Sequence, residues 1–570
     1  MQNGNYGSID VQHPPEEQQP LVDTNASRTS SKSRQSPMLQ RFVILSTVAF
    51  VIACVVVVVK KHRVNSGGDS SVRIPVSSTN AVSTSIATAS DGKKEKLLYS
   101  NTPRFYSDQL VDHFDTTNTA RWIQRYYAKR VHFAGPGHPI FLVIGGEGAN
   151  DVGMFYPFVE KVMAKQFGAY VLHPEHRFYG ISQPIPNRNA TVPELLQLLT
   201  PEQGMLDMLR LAQSYRKKLG CSLEKSSKKY CPIITVGGSY PGFLAAMMRL
   251  LYPEHIDMAY ASSAPMKLYS KDADQWGYFD IITEAADRAS PGCSVAVKET
   301  LTDIEATLQI TPDFLSFAYD NLNVCPGSVP SYIDSGTLFS QEMMQIIETT
   351  FADANMIGNY PPSNHTWFAQ LCHVFQNETA TTTSEKVRNF WLNLEIQDRT
   401  RTCFAMDYQM SEGSKATISS ADWSGLGPGR DGRMWDFQCC TSLTPEMGFS
   451  HRSMFPYRKW TYEWLTEHCV TRFGVVGDPY EMVKQYHFND LVGQGASRII
   501  FTNGGNDMWM AGSYTQDVSD SILSILMPSG GHHSEVYARP DDLPDIKDGQ
   551  KQIRAILGGW LEEIKRGKFE

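Results

Sequence analysis

The stretch from Ile233 to Pro253 constrains the fold of this chain more than any other. An apolar, β-branched run ends at Gly237 and Gly238, and Ser239 follows directly. Apolar residues then recur at helical spacing until the proline ends the pattern. The pattern predicts a strand, a sharp turn and a helix. Small residues beside the serine permit the strained turn that exposes the nucleophile of an α/β-hydrolase.

This turn departs from the usual sequence of a nucleophile elbow. The usual pattern is G-x-S-x-G, and Pro241 stands where the last glycine is expected. A serine at the start of a helix also caps the first helical turn, so capping is an equally good interpretation of Ser239 from this segment alone. The rest of the chain must decide between the two.

The charge balance excludes one class of partner. The 570 residues include 52 basic and 60 acidic side chains, a net charge of −8. The only basic clusters flank one apolar run near the N-terminus. These features argue against nucleic acid as a partner, because a phosphate backbone needs a basic surface.

The N-terminal region predicts a membrane anchor. Residues 1–41 are polar and have the composition of a disordered cytoplasmic tail. Residues 42–59 are an uninterrupted apolar run, near the lower limit of about 17 to 25 residues for a transmembrane helix. The long polar leader, and the lack of a small-residue cleavage site after the run, favour an anchor over a signal peptide. We therefore predict a single-pass type II membrane protein with a stalk over 60–100.

Other features indicate where the folded part resides. Three N-glycosylation acceptors follow the apolar run, at Asn189, Asn364 and Asn377, as expected for a lumenal or extracellular domain. Nine of the ten cysteines also follow it, at a density compatible with disulfides in an oxidising compartment. No C-x2-C pair is present, so no metal site is predicted. Residues 17–22 resemble an acidic dileucine signal, which would direct the protein to lysosomes or vacuoles. The cell surface stays open as the alternative.

Polar residues follow two late apolar runs. Residues 140–144 form a continuous apolar run, which is typical of a central strand of a parallel sheet that is buried on both faces. Residues 169–172, 498–502 and 522–526 are predicted as further strands. An α/β-hydrolase carries its catalytic residues on loops after successive strands, in the chain order Ser, Asp or Glu, His. Ser239, Asp507 and His532 fit this order. Taken singly, a turn aspartate and a surface histidine are simpler interpretations, but together the three predict a triad.

The chain is longer than this sheet requires. Residues 267–480 lie between the serine and the aspartate and contain helical-period segments such as Phe339 to Phe351. We predict that they form an inserted, mainly helical cap, which would exclude water and restrict the substrates that enter. The α/β-hydrolase domain would then comprise residues 101–266 and 481–570.

Segments along most of the chain resemble one family of serine peptidases. The matching segments are Gln109–Phe114, Gln124–Tyr127, Gly146–Gly148, Glu175–Gly180, Leu199–Gln203, the elbow, Trp435–Cys439, Asn503–Gly504 and Gly531–His533. In these the chain resembles the family of lysosomal Pro-X carboxypeptidase, dipeptidyl peptidase II and thymus-specific serine protease. The resemblance implies hydrolysis of short peptides beside proline in an acidic lumen, without a cofactor.

The resemblance also implies roles for individual residues. Ser239 is expected to be the nucleophile, His532 the general base and acid, and Asp507 the residue that orients the imidazole. The backbone N–H groups of Tyr240 and of the loop at Gly146 are expected to bind the oxyanion. The other matched residues are expected to line or support the substrate site: Phe243, Trp509, Trp435, Gln438, Glu147 and Glu175. For the last four of these, buried ion pairing or packing is an equally good interpretation.

The departures from the family pattern bear on substrate preference more than on activity. Pro241 replaces a glycine, Met508 replaces the proline of a D-P-W motif, and Ser534 with Glu535 replaces Leu-Asp after the histidines. A proline in the first helical turn is tolerated, because its missing N–H would be unpaired there anyway.

The sequence therefore predicts a serine exopeptidase, either a carboxypeptidase or a dipeptidyl peptidase, and allows a homodimer. A catalytically silent binding protein on the same fold and a lipid or ester hydrolase stay open as alternatives.

Overall fold

The computed structural model describes residues 102–569, except residues 152, 154–155, 187, 332, 394–401 and 407–429. The predicted cytoplasmic tail (1–41), the predicted transmembrane helix (42–59) and the predicted stalk (60–100) lie outside the described residues.

An eight-stranded sheet forms the centre of the described structure. Its strands are β1 (Arg104–Leu110), β2 (Arg121–Lys129), β3 (Ile140–Val143), β4 (Tyr170–Pro174), β5 (Ile233–Gly238), β6 (Met258–Ser262), β7 (Ile499–Gly504) and β8 (Ile522–Met527). Their spatial order is β1-β2-β4-β3-β5-β6-β7-β8. β2 runs antiparallel to β1 and β4, and the remaining neighbours are parallel. This arrangement supports the α/β-hydrolase part of the prediction.

The strands at the centre of the sheet are apolar because both faces are covered. In β3, Ile140 and Leu142 contribute to one hydrophobic cluster, whereas Phe141 and Val143 contribute to the other. Side chains alternate between faces along a strand, so each face needs its own apolar set. Besides β5, the four predicted strands correspond to β3, β4, β7 and β8. The hydrophobic pattern did not predict β1, β2 and β6.

Helices cover the two faces of the sheet. Pro201–Lys218 and Tyr240–Leu251 pack on one face, and the C-terminal helix Pro544–Lys565 packs on the other. The shorter helices of this part are Phe158–Met163 (a π-helix), Ala164–Phe167, Val192–Leu198 and the 3₁₀-helices Met508–Gly512 and Ser534–Tyr537.

A helical segment, residues 266–486, connects β6 to β7. Its helices are Met266–Ser270, Gly277–Ala289, Cys293–Ile310, Phe314–Asn321, Gly336–Gly358, Trp367–Phe375, Thr383–Asn393, Arg430–Thr441, Tyr462–Phe473 and Glu481–Tyr486. Its described residues contribute no strand to the sheet, and most of them pack around a separate aromatic cluster that includes Phe351 and Trp391. The segment is mainly helical, as the predicted cap is. The domain limits at 267 and 480 stay predictions.

Disulfides connect eight cysteines of the described structure. The pairs are Cys221–Cys231, Cys293–Cys372, Cys325–Cys403 and Cys440–Cys469. Cys439 is buried and takes part in no disulfide. Three of the four pairs lie within the helical segment, where they close loops between its helices. The pairing is information that the cysteine spacing alone did not contain.

The predicted transmembrane helix is corrected. Among the described residues, no helix combines the length and the apolar character needed to cross a membrane. The longest, Gly336–Gly358, contains Glu342, Glu348 and Asp353, and ionised side chains are costly in a bilayer. The predicted span 42–59 lies outside the described residues, so the structure gives no support to a membrane anchor or to type II topology.

Two of the predicted glycosylation acceptors are accessible. Asn189 and Asn364 are exposed, whereas Asn377 is partly buried and its side-chain oxygen accepts hydrogen bonds from Thr379. Glycosylation at the three positions stays a prediction.

Candidate active site

Ser239 lies on a strained turn between β5 and the helix Tyr240–Leu251. Its backbone has φ 64° and ψ −133°, a conformation that non-glycine residues rarely adopt. Its N–H donates to the carbonyl oxygen of Ser262 on β6 at 2.8 Å, which ties the turn to the neighbouring strand. The side chain forms no capping hydrogen bond with the helix that follows. The geometry therefore favours an exposed nucleophile over a helix cap.

Tight packing around the turn explains the small residues. A Cβ on Gly237 would lie 2.1 Å from the carbonyl oxygen of Pro241, and a Cβ on Gly238 would lie 2.9 Å from the ring of His533. A Cβ on Gly146 would lie 2.6 Å from Cγ of Pro241. The proline ring therefore occupies space beside the glycine loop after β3. It sits in the first turn of the helix, where its missing N–H is tolerated.

The aspartate and the first histidine are hydrogen-bonded to each other. Nδ1 of His532 lies 2.9 Å from Oδ1 of Asp507, and both side chains are buried. The same oxygen accepts the backbone N–H of Trp509 at 3.0 Å. A carboxylate acceptor at Nδ1 leaves Nε2 as the ring nitrogen that can take a proton from a nucleophile.

His533 occupies a different environment. Its backbone N–H donates to Oγ of Ser263 at 3.0 Å, and its ring packs beside Tyr156 and Tyr537 behind the elbow. Burial, together with the neighbouring His532, holds the pKa of His533 well below its ordinary value. The hydrogen bond to the aspartate thus belongs to the first histidine of the pair.

A buried carboxylate anchors the histidine loop. Glu535 accepts hydrogen bonds from the hydroxyl groups of Tyr260 at 2.8 Å, Ser262 at 2.6 Å and Thr502 at 2.5 Å. These donors lie on β6 and β7, so the bonds join the loop that carries His532 to two adjacent strands. In the sequence, this glutamate is visible only as a departure from the family pattern. Its donors are far from Glu535 in the chain, and no local pattern reveals them.

Glu175 holds the glycine loop that follows β3. Its carboxylate accepts the backbone N–H of Asn150 at 2.8 Å and the hydroxyl of Ser182 at 2.6 Å, and it forms a close ion pair with Arg125. The side chain is fully buried. Glu175 therefore supports the loop that contains Gly146 through its hydrogen bond to Asn150. Its own charge is balanced by a buried ion pair with Arg125.

A chain of hydrogen bonds joins the elbow to the helical segment. The hydroxyl of Tyr179 donates to Oε1 of Gln438 at 2.5 Å, and Nε2 of Gln438 donates to the hydroxyl oxygen of Tyr240 at 3.2 Å. The Tyr240 hydroxyl lies 3.1 Å from Nε2 of His176, whose Nδ1 is 2.8 Å from the carbonyl oxygen of Arg177. Because a carbonyl only accepts, Nδ1 of His176 is the donor and Nε2 accepts from the tyrosine.

This assignment requires a neutral imidazole. Burial lowers the pKa of His176 to about 4, so the ring is uncharged above that pH. Gly204 provides the space for it, since a Cβ there would lie 2.5 Å from Nε2. The ring of Trp435, whose centroid is 5.0 Å from that of Tyr240, covers the tyrosine from the helix Arg430–Thr441. The residue whose N–H is predicted to bind the oxyanion is thus fixed by its side chain as well.

Sequence comparisons agree with this geometry. Residues 109–553 match the serine carboxypeptidase S28 family. The chain belongs to that family. It is 28% identical to the thymus-specific serine protease of Mus musculus, over 81% of this chain and 88% of the relative. It is 24% identical to the lysosomal Pro-X carboxypeptidase of Homo sapiens, over 76% of this chain and 83% of the relative.

Membership of the S28 family makes the chain a serine peptidase, with peptides as its substrates. Among solved structures, an acetylester hydrolase from Corynebacterium glutamicum aligns over 80% of this chain and 96% of its own, with 10% identity and a TM-score of 0.34. A similarity this low says nothing further about the S28 peptidase.

An aromatic cleft opens beside the proposed triad of this S28 peptidase. Its solvent-accessible volume is about 110 Å³, and its walls include Trp435, Trp509, Tyr278 and Phe279. The ring centroid of Trp509 is 6.2 Å from that of His532. Two of the predicted pocket residues, Trp435 and Trp509, therefore line a cavity next to catalytic candidates.

The other predicted pocket residues of the S28 peptidase lie elsewhere. Phe243 is fully buried and packs against Tyr269 and Phe488, and Gln438 is fully buried behind Tyr240. Glu147 lies in the glycine loop after β3. Burial raises its pKa, while a hydrogen bond from its own backbone and the charge of His532 oppose the rise.

One cluster in the S28 peptidase has the composition of a metal site but different chemistry. Asp436, Cys440 and His468 lie close enough together to share an ion. The sulfur of Cys440 is bonded to Cys469, and the Asp436 carboxylate is paired with His468 at 2.9 Å and with Arg472. A disulfide sulfur cannot act as the thiolate ligand that metals require. We interpret the cluster as a buried ion-pair network.

Proposed function

We propose that this S28 peptidase is an exopeptidase that hydrolyses short peptides next to proline through an acyl-enzyme, with Ser239, His532 and Asp507 as its triad. The observation that carries the proposal is the 2.9 Å hydrogen bond between the buried His532 and Asp507, in a fold that also holds Ser239 at φ 64° on the turn after β5. A nucleophile, a base and a residue that orients the base are the parts that acyl transfer needs.

Each proposed residue has a defined step. Oγ of Ser239 attacks the scissile carbonyl carbon while Nε2 of His532 takes the hydroxyl proton. The C–N bond then breaks, the protonated histidine gives its proton to the leaving amine, and an acyl-serine ester remains. Water adds to the ester by the reverse sequence, releases the acid and restores the serine hydroxyl. Asp507 stabilises the imidazolium in both halves.

The oxyanion of each tetrahedral intermediate needs donors that are already in place. The backbone N–H of Tyr240 begins the helix after the nucleophile, and the loop at Gly146 lies against Pro241. Fixed donors cost no reorganisation during the reaction. The hydrogen bonds of the Tyr240 side chain and the Glu175 support of the glycine loop favour both groups as donors.

Preference for proline is supported by the aromatic cleft. Trp435 and Trp509 present flat apolar surfaces near the proposed triad, and such surfaces suit a rigid ring better than a charged side chain. Lysosomal Pro-X carboxypeptidase, one of the relatives, is named for cleavage after proline.

An oxidising lumen is the proposed compartment. Four disulfides in the described residues require oxidising conditions, and the carboxypeptidase relatives are named as lysosomal. A homodimer stays a prediction that sedimentation of the purified protein tests. A membrane anchor is not part of this proposal.

The decisive experiment is active-site labelling with a serine-reactive fluorophosphonate. Wild-type protein should label, and Ser239→Ala should not, with both proteins shown to be folded by circular dichroism. Labelled protein should then cleave peptides with proline at P1 faster than matched peptides with alanine there. Failure of folded wild type to label would exclude the hydrolase mechanism and favour the silent binding protein.

A further inference from the structure

Charged residues from the helical segment complete the wall of the aromatic cleft. Glu348 comes from the helix Gly336–Gly358, and Arg458 and Lys459 come from the chain that precedes Trp460. Among the described residues that line the cleft, these are one acid and two bases. The wall therefore carries a net positive charge close to the proposed scissile bond.

Arg458 is held in one position from several sides. Its Nη2 donates to Oε2 of Glu348 at 3.0 Å, and its guanidinium carbon lies 4.3 Å from the ring centroid of Phe449. The backbones of Arg458 and Phe449 exchange two hydrogen bonds, at 2.7 and 3.2 Å. A side chain fixed in this way loses little further conformational entropy when it binds a ligand.

The guanidinium nevertheless keeps donors for a ligand. Its Nε and Nη1 donate to no residue in the described ranges, and 43% of its side chain is exposed. An arginine has five N–H donors in a fork that matches a carboxylate, and only one is used by Glu348. Lys459 is exposed and adds a second positive charge to the same wall.

The positively charged N-terminus of a peptide fits this wall poorly. Glu348 is the one acidic residue among the described lining residues, its side chain is almost fully buried, and Arg458 already balances its charge. An incoming ammonium group would meet the arginine first. Like charges at close range repel, so binding an amine here would require the ion pair to break.

We propose that Arg458, assisted by Lys459, binds the free α-carboxylate of the peptide substrate, so that the enzyme removes C-terminal residues rather than N-terminal dipeptides. The inference rests on the proposed function, because the cleft is a substrate site only if the neighbouring triad is catalytic. It goes further by naming the end of the peptide that is recognised and the residues that recognise it.

Two substrates that differ only at the C-terminus test the proposal. We expect acetyl-Ala-Pro-Phe with a free carboxylate to have a kcat/KM about 10- to 100-fold above that of its C-terminal amide, chiefly through KM, since one or two charge-assisted hydrogen bonds are lost with the amide. Arg458→Gln should abolish the preference, and Lys459→Gln should reduce it severalfold. Arg452→Gln is the matched control, because that arginine is 83% exposed, pairs with Asp280 and lies outside the cleft wall.

Arg458→Gln leaves the buried Glu348 carboxylate without its partner, which is destabilising. The double variant Glu348→Gln, Arg458→Gln removes both charges and keeps the test valid if the single variant does not fold. Loss of the acid-over-amide preference in the folded double variant supports the proposal, and retention of the preference overturns it.

Binding to Ser239→Ala separates this inference from the catalytic proposal. Calorimetry should show that the inactive protein binds the peptide acid about 10- to 100-fold more tightly than the amide, whether or not the wild type labels with fluorophosphonate. Equal affinities, or a preference for free-amine over acetylated peptides, would overturn carboxylate recognition while leaving the labelling result intact.

Discussion

The sheet and the helical segment hold their functional residues by different means. Ser239, Asp507 and His532 follow β5, β7 and β8, each a strand paired with a parallel neighbour. The charged wall of the cleft instead comes from one helix of the helical segment, which carries Glu348, and from the non-helical chain at Arg458 and Lys459. The packing of that segment depends on an aromatic cluster and on disulfides. The difference suggests that reaction chemistry resides in the sheet and substrate selection in the segment. Substitutions in the sheet should therefore reduce the rate of the reaction, whereas substitutions in the helical segment should alter stability or substrate binding.

The largest effect is expected from the aspartate on the sheet. Asp507→Asn should reduce the rate of acylation about 10⁴-fold, because the amide favours the wrong tautomer of His532. Stopped-flow labelling measures this rate directly. His533→Ala is the matched control and should stay within about tenfold of wild type. If the control lost as much as Asp507→Asn, the second histidine would be the base.

Removal of a disulfide from the helical segment should lower stability without removing the chemistry. Replacement of Cys293 and Cys372 by alanine opens a loop with a sequence separation of 79 and should cost about 2 to 5 kcal/mol of unfolding free energy. Denaturant unfolding measures the loss. At low temperature, where the variant is folded, fluorophosphonate should still label Ser239. Loss of labelling in folded protein would show that the sheet is not independent of the segment.

Glu535 provides a corresponding test within the sheet. Glu535→Gln keeps the shape but weakens the hydrogen bonds from Tyr260, Ser262 and Thr502, which should cost about 1 to 3 kcal/mol of stability. Because these bonds hold the histidine loop, kcat should fall while KM changes little. A rise in KM alone would mean that the glutamate affects binding instead. Glu535→Asp keeps the negative charge on a shorter side chain. Its kcat measures how much of the rate the charge alone restores.

The hydroxyl group of Tyr240 joins the sheet to the helical segment through Gln438. Tyr240→Phe keeps the backbone N–H but leaves Nε2 of Gln438 and Nε2 of His176 without their shared partner. We expect about 1 to 3 kcal/mol of lost stability and a kcat reduced about tenfold. Gln438→Leu should produce a similar change in kcat. Wild-type kcat in both variants would show that the link is structural only.

The smallest expected effect concerns pH. The pKa of His176 is about 4 in the folded protein, against about 6.5 when unfolded, so between these values only the unfolded state is protonated. Stability should therefore fall as the pH drops from about 6.5 towards 4, by about 1.5 kcal/mol between pH 6.5 and pH 5 from this residue. Thermal unfolding of wild type and His176→Gln at both pH values measures the contribution. Equal pH dependence in the two proteins would mean that His176 is not the group responsible.

The elements that depend on local pattern can be predicted from the amino-acid sequence. The apolar run and glycines before Ser239 specify strand, turn and helix, and the runs before Asp507 and His532 specify the strands that carry them. Hydrophobic periodicity and turn chemistry act over a few residues, so a sequence displays them directly. Hydrophobic periodicity did not predict β1, β2 and β6, because their apolar pattern alone does not indicate a strand.

Contacts between separate segments of the chain are visible only in the folded protein. They include the hydrogen bond between His532 and Asp507, the three hydroxyl groups on Glu535, the disulfide pairing and the link from Gln438 to Tyr240. The apolar run at 42–59 predicted a transmembrane helix from local composition alone. No helix among the described residues is long and apolar enough to cross a membrane. Local composition specifies what a segment can form. Packing across the fold decides which side chains meet, because burial requires each polar group to find a partner wherever in the chain that partner lies.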